Sequence, residues 1–190
     1  RQGSHVAPTT RRDYAEDLRR DHGAEHAKAR IRANRELLTP FLRARQEVAA
    51  SIRQGRHHLL IGEPGVGKRT LLREQFRRAH PQGRITEIDC AAFAVDDAPV
   101  LERRAHLVLL RALNMLGPVA ARQLDEALRP LLVLPDPPLV VGCVDTPAVD
   151  ATRPYGLLLR HFHQITRIPP LRYRHDEVGD IAWSILRRIA

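Results

Sequence analysis

Apolar residues in this chain come in two rhythms. Short segments of strand length, at residues 59–61, 84–89, 107–110 and 139–144, alternate with stretches of helical spacing at residues 69–78 and 119–128. A short apolar run fits a strand covered on both faces, and apolar positions three and four apart fit a helix with one buried stripe. Their alternation predicts a parallel sheet with helices on its faces, an α/β fold. A further helix is predicted before the first strand: Thr39 suits its N-cap, Pro40 its first position, and Phe41, Arg45, Val48 and Ile52 share a face. Residues 131–138 lead into the fourth strand through a proline-rich turn. A last helix is predicted where Val178, Ile181, Ala182, Ile185, Leu186 and Ile189 fall on one face.

The first 37 residues lack such a rhythm. They are polar, charged and rich in Arg and Ala, with one weak helical stripe at Ala27, Ile31, Asn34 and Leu38. Residues 11–37 read as a helical linker, and Gly3-Ser4-His5 reads as a cloning remnant. The predicted organisation is a linker over 1–37, an α/β domain over 38–168, and the beginning of a helical part over 169–190. There are no internal repeats.

Composition narrows the class. At 190 residues the chain can bury one good core. Its longest apolar runs are strand-sized, which predicts no membrane span and no signal peptide. Cys90 and Cys143 sit far apart in apolar segments, which favours a reduced, cytoplasmic protein over a disulfide scaffold. The net charge of +9 admits nucleic acid or another polyanion as a partner. The arginines are scattered among apolar and acidic residues, so an ordinary solvated basic surface explains them equally well.

The chemistry is concentrated after the first strand, in Gly62-Glu63-Pro64-Gly65-Val66-Gly67-Lys68-Arg69-Thr70. Gly62, Gly67 and Lys68 match the phosphate-binding loop G-x-x-x-x-G-K. In such a loop the glycines let backbone N–H groups approach phosphate oxygens, the lysine pairs with the β/γ-phosphates, and the following helix adds its positive dipole end. Of the 31 basic residues only Lys28 and Lys68 are lysines, which marks a specific need for lysine here. Arg69 stands where Ser or Thr would hold Mg²⁺, and Thr70, one residue late, is the remaining candidate ligand.

Four motifs in this order resemble the AAA+ domain of sigma-54-dependent transcriptional activators, the bacterial enhancer-binding proteins. They are the loop above, Ile88-Asp89-Cys90-Ala91-Ala92 for the Asn-Cys-Ala-Ala stretch, and residues 139–145 for the sensor I strand, with Asp145 in the usual Asn place. The fourth is Ile168-Pro169-Pro170-Leu171-Arg172-Tyr173-Arg174-His175-Asp176-Glu177-Val178, which resembles the motif opening the lid. In that family the residue after the lysine is often charged. The resemblance runs from about residue 40 to the end, with a gap in the middle. It implies a P-loop NTPase of AAA+ type, a three-layer sandwich with a parallel sheet plus the start of a helical lid. The implied ligand is ATP or ADP, with Mg²⁺ as a candidate. The implied partners are further copies of the chain, DNA through parts lying outside it, and RNA polymerase, with no membrane.

The departures change the expected function. The family's Walker B strand ends in Asp-Glu, acids that hold the Mg²⁺ shell and polarise water. Here Leu110 and Arg111 stand in their place. The Gly-Ala-Phe-Thr-Gly-Ala loop that touches sigma-54 is missing, and the stretch between Phe93 and Leu107 is too short to hold it. The chain stops inside the first lid helix, so a piece of a longer protein is expected. Candidate acids that could serve instead are Asp145 and Asp89, each ending a strand. Asp125-Glu126 reads as the solvated face of a helix. Arg160 falls where the family has a candidate arginine finger, and equally fits an ordinary surface arginine. His161 and His163 have no nearby Cys, Asp or Glu in sequence, so no metal site is expected there. Arg172 and Arg174 are read as ties between lid and core.

The expected function is a nucleotide-binding AAA+-like domain of a transcriptional regulator that hydrolyses slowly or not at all. It would relay a signal or oligomerise instead of remodelling sigma-54 polymerase. Three alternatives stay open: a working ATPase, either an activator or a DNA-handling machine; a scaffold that binds no nucleotide; and a small-molecule kinase, which the Pro-Pro-Leu-Arg motif disfavours.

Overall fold

The computed structural model describes residues 38–93, 105–146 and 148–189. The chain falls into two units, Arg1–Thr39 and Pro40–Ala190. The helical linker expected over 11–37 lies outside the described residues, as does most of the stretch between Phe93 and Leu107.

The second unit runs α1 (Pro40–Arg53), β1 (His58–Ile61), α2 (Lys68–Ala79), β2 (Ile85–Asp89), β3 (Leu107–Arg111), α3 (Pro118–Leu132), β4 (Leu139–Val144), β5 (Gln164–Arg167) and α4 (His175–Ile189). Short 3-10 helices lie at Leu113–Met115, Pro154–His161 and Leu171–Tyr173. The five strands form one parallel sheet in the order β2-β3-β4-β1-β5. The chain therefore crosses the sheet to place β4 between β1 and β3.

Burial explains why these runs became strands. β1 and β4 are buried at every position and β3 at all but its last. Strands covered on both faces need apolar residues throughout. On one face, Ala44, Val48 and Ile52 of α1 and Leu71, Leu72 and Phe76 of α2 pack on Leu60, Leu109, Val141 and Cys143. On the other, Ala121, Leu124 and Leu128 of α3 pack with Tyr155 and Leu158 on Leu59, Val108, Leu110 and Val140. The result is three layers, helix–sheet–helix, as the alternating rhythm predicts.

Three elements differ from expectation. α3 continues to Leu132 through Pro130. A proline there costs one helical hydrogen bond, and burial of Leu128 and Leu131 on either side holds the last turn in place. β5 carries no periodic signal in the sequence, because this short edge strand buries only Thr166. It is fastened to α1 by polar pairs: Thr166 Oγ1 donates to Glu47 Oε2 at 2.7 Å, and Ser51 Oγ donates to Gln164 Oε1 at 2.8 Å. α4 forms where periodicity places it, yet its apolar face is not buried, with Val178 49% and Ile189 78% exposed. Among the described residues no helix is long and apolar enough to cross a membrane. Cys90 and Cys143 are free and buried.

Candidate functional site

The glycine-rich loop joins β1 to α2 at the carboxyl edge of the sheet, where parallel α/β sheets hold ligands. Gly65 and Gly67 have φ of 79° and 92°, backbone that only glycine adopts cheaply. At Gly62 a Cβ would meet the Ile168 carbonyl oxygen at 2.8 Å, so only glycine lets β5's extension pass this close. The Gly62 N–H is held at the end of β4, 3.3 Å from Val144 O and 3.0 Å from Thr146 O. Gly67 caps α2 without a side-chain hydrogen bond, and the first turn carries no acid. The first amides of α2 therefore face outward with an uncompensated dipole, ready for an anion.

Lys68 opens that helix and is only 6% exposed. Its ammonium donates to Gly62 O and Glu63 O, both at 2.8 Å, and pairs with Asp145 Oδ1 at 2.7 Å. Three N–H donors meet three acceptors, so the buried charge is satisfied. Asp145 follows the last residue of β4, and its backbone N–H donates to Asn114 Oδ1 at 2.9 Å. Asn114 is a site residue that the sequence did not reveal. It sits in the 3-10 turn after β3, aimed by Ala112 in a left-handed conformation with φ 48°. Ala112 is the sole non-glycine with positive φ among the described residues.

The positions that hold a divalent ion in a P-loop protein are the hydroxyl after the lysine and the acid ending a neighbouring strand. Here both carry guanidinium groups. Arg69 pairs with Glu87 at 2.9 Å, and Arg73 pairs with the same carboxylate at 2.7 Å. Arg111 ends β3 with an open pair to Asp89 at 3.4 Å. Thr70 lies exposed in the first turn of α2. Among the described residues no cluster of three or more His, Cys, Asp or Glu could hold a metal. Neither ion-holding position offers an oxygen ligand, and this donor set does not fit a tightly held Mg²⁺.

The segment before α4 grips the loop from outside. Arg172 Nη1 lies 2.8 Å from both carboxylate oxygens of Glu63. Arg174 is buried, donates to Val66 O at 2.9 Å and to Glu177 Oε2 at 2.7 Å, and stacks 3.5 Å over the Phe41 ring. Both arginines tie this segment to the core, as read from the sequence.

Arg160 is placed elsewhere, with α3 on the other face of the sheet. It bonds Asp125, which also accepts from Arg129 at 2.7 Å and lies 2.6 Å from His161 Nε2. The solvated-face reading of Asp125-Glu126 is corrected in half: Glu126 is exposed, but Asp125 is 1% exposed. Burial pushes its carboxyl up, and the bonds from His161, Arg160 and Arg129 outweigh this and hold it below the usual range. Asp125 is also the acidic partner of His161 that sequence proximity could not show, since 36 positions separate them.

His57 and His58 stand at the opposite, amino edge. His57 Nδ1 accepts from the Val140 N–H at 3.1 Å, and its ring lies 5.3 Å from that of His163. Burial, with the charges of His163 and His161, lowers His57 to about 4, and burial alone lowers His58 to about 4.

No protein-family model matches the chain, and no curated protein matches it in sequence. Solved structures do match. NtrX from Brucella abortus in complex with ATP is 12% identical with a TM-score of 0.62, covering 91% of this chain and 49% of NtrX. The complex of NtrX with ADP gives 12% identity and a TM-score of 0.60, with coverage of 91% and 46%. A RuvB from Thermotoga maritima, a Holliday junction branch migration motor, is 20% identical over 65% of this chain and 43% of its own, with a TM-score of 0.49. The chain thus spans about half the length of the NtrX chains. The NtrX likeness is one of fold, the three-layer α/β sandwich built on a parallel five-stranded sheet.

Proposed function

We propose that this chain is a nucleotide-binding AAA+ domain that takes ATP or ADP on residues 62–70 and turns it over slowly or not at all. The observation that carries the reading is Lys68, buried beneath a left-handed glycine loop at an uncapped helix start. A lone lysine of this kind is costly to bury unless an anion shares it. In the isolated chain the anion is Asp145; with ligand, phosphate oxygens would take that place, and the loop amides and the α2 dipole would hold the rest of the charge.

Slow turnover follows from the end of β3. Arg111 cannot accept a proton from water or bind a metal, and the Arg160 guanidinium is engaged with Asp125. One observation favours a second reading, a working ATPase: Asp145 pairs directly with Lys68, the residue expected to meet the terminal phosphates. The regulatory setting rests on the motif resemblance to sigma-54-dependent activators. In it the domain binds nucleotide to shift its own population between states, acts with further copies of itself, and reaches DNA or RNA polymerase through parts outside this chain. α4 is then the first lid helix.

Titration of ATP and ADP into the chain by calorimetry, with phosphate release followed in the same samples, tests this reading. Binding without turnover is the expected result. Sustained release of phosphate that stops in Asp145→Asn would replace it with the working-ATPase reading.

A further inference from the structure

We infer that Arg111 and Arg69 supply the positive charge that a divalent ion brings to other phosphate-binding loops, so that nucleotide binds here without metal. The inference rests on the nucleotide-binding reading above and names how that site meets the phosphate charge.

Register places the groups together. Arg111 follows Leu110, which pairs with Gly142, so Arg111 falls beside Cys143; Cys143 pairs in turn with Leu60 of β1. Leu107 and Leu109 face the α1–α2 layer, and strand alternation puts Arg111 on that same face. Leu139, Val141 and Cys143 of β4 face it too, as does Ile85 of β2, which carries Glu87 and Asp89 with it by the same alternation. Two strand spacings, roughly 10 Å, separate β3 from β1, a gap that an extended arginine and a bound phosphate span together. Between them lies the Cys143 thiol, pushed up to about 12 chiefly by burial, with Lys68, Asp145, Arg111 and Glu87 all acting on it.

The ion pairs leave charge available. Glu87 serves two cations, Arg69 and Arg73, so one positive charge is uncompensated at the first turn of α2. Arg111 is 40% exposed, and its pair to Asp89 is long, at 3.4 Å, so exchanging that carboxylate for a phosphate oxygen costs little. A guanidinium presents planar paired donors that suit phosphate oxygens. It also repels a divalent ion from the place it fills. Two arginines at the two ion-holding positions thus neutralise phosphate from within the chain.

Calorimetric titration of ADP and of ATP into the whole chain, once in EDTA and once with excess Mg²⁺, decides the matter. The expected result is binding in EDTA at an affinity equal to or tighter than with Mg²⁺. Arg111→Ala should weaken the EDTA affinity by about tenfold or more, the scale of one charged hydrogen bond, while Arg111→Lys keeps most of it. Arg111→Asp should bind poorly in EDTA and recover with Mg²⁺. Thermal melts confirm that each variant is folded. Binding only with Mg²⁺ overturns the inference and leaves the nucleotide-binding reading standing. Binding in neither condition overturns both. An Arg111→Ala affinity equal to wild type in EDTA overturns the role of Arg111.

Discussion

At Lys68 the chain already provides what a phosphate would. The ammonium has two loop carbonyls at 2.8 Å and the Asp145 carboxylate at 2.7 Å. A nucleotide must displace that carboxylate and then sit beside it, carrying the same sign of charge. Asp145→Asn removes both obstacles and leaves a neutral side chain of the same shape. The variant is expected to bind ADP about tenfold more tightly in calorimetry, on the scale of one charged contact. Unchanged or weaker binding would mean that phosphate and Asp145 do not compete for Lys68. The loop, its lysine and Asp145 were legible in the sequence because each sits in a fixed spacing or at the end of an apolar run. Asn114 and the Asp125–His161 contact were not. Asn114 depends on a turn set by a left-handed alanine, and Asp125 meets its partners only when α3 docks beside Pro154–His161.

Among the elements, β1 carries a pH dependence at its start. His57 and His58 are lowered to about 4 from an ordinary value of 6.5, chiefly by burial. Between pH 6.5 and 4 the unfolded chain binds protons that the folded chain refuses, so stability falls as pH drops through that window and is fully present above it. Each histidine contributes at most about 3 kcal/mol over the whole window. Urea midpoints at pH 7 and pH 5 should therefore differ, lower at pH 5, and the difference should shrink in His58→Leu. Equal midpoints in wild type would contradict the burial of both rings as neutral groups. The same strand shows why elements differ in legibility. β1, β3 and β4 are covered on both faces, so continuous apolar runs mark them. β5 is an edge with one buried residue, held to α1 by Glu47 and Ser51, and nothing periodic announces it. α3 outruns its sequence signal because burial of Leu131 outweighs Pro130.

In the molecule as a whole, the carboxyl edge of the sheet gathers part of the charge that the sequence left scattered. Lys68, Arg69, Arg111, Arg172 and Arg174 meet Asp145, Glu87, Asp89, Glu63 and Glu177 there. Arg73 shares Glu87 with Arg69, which leaves one positive charge in excess around this loop, an arrangement that composition could not show. The central claim is that this loop binds nucleotide through Lys68. A ligand that binds only the folded chain raises its stability, by about 2.7 kcal/mol at a hundred times its dissociation constant. For a domain of this size that is a rise of roughly 5–10 °C in Tm. The measurement is the thermal midpoint of wild type and of Lys68→Ala with and without saturating ADP. The account predicts a rise of several degrees for wild type and none for Lys68→Ala. No rise in wild type, or an equal rise in both, would contradict it.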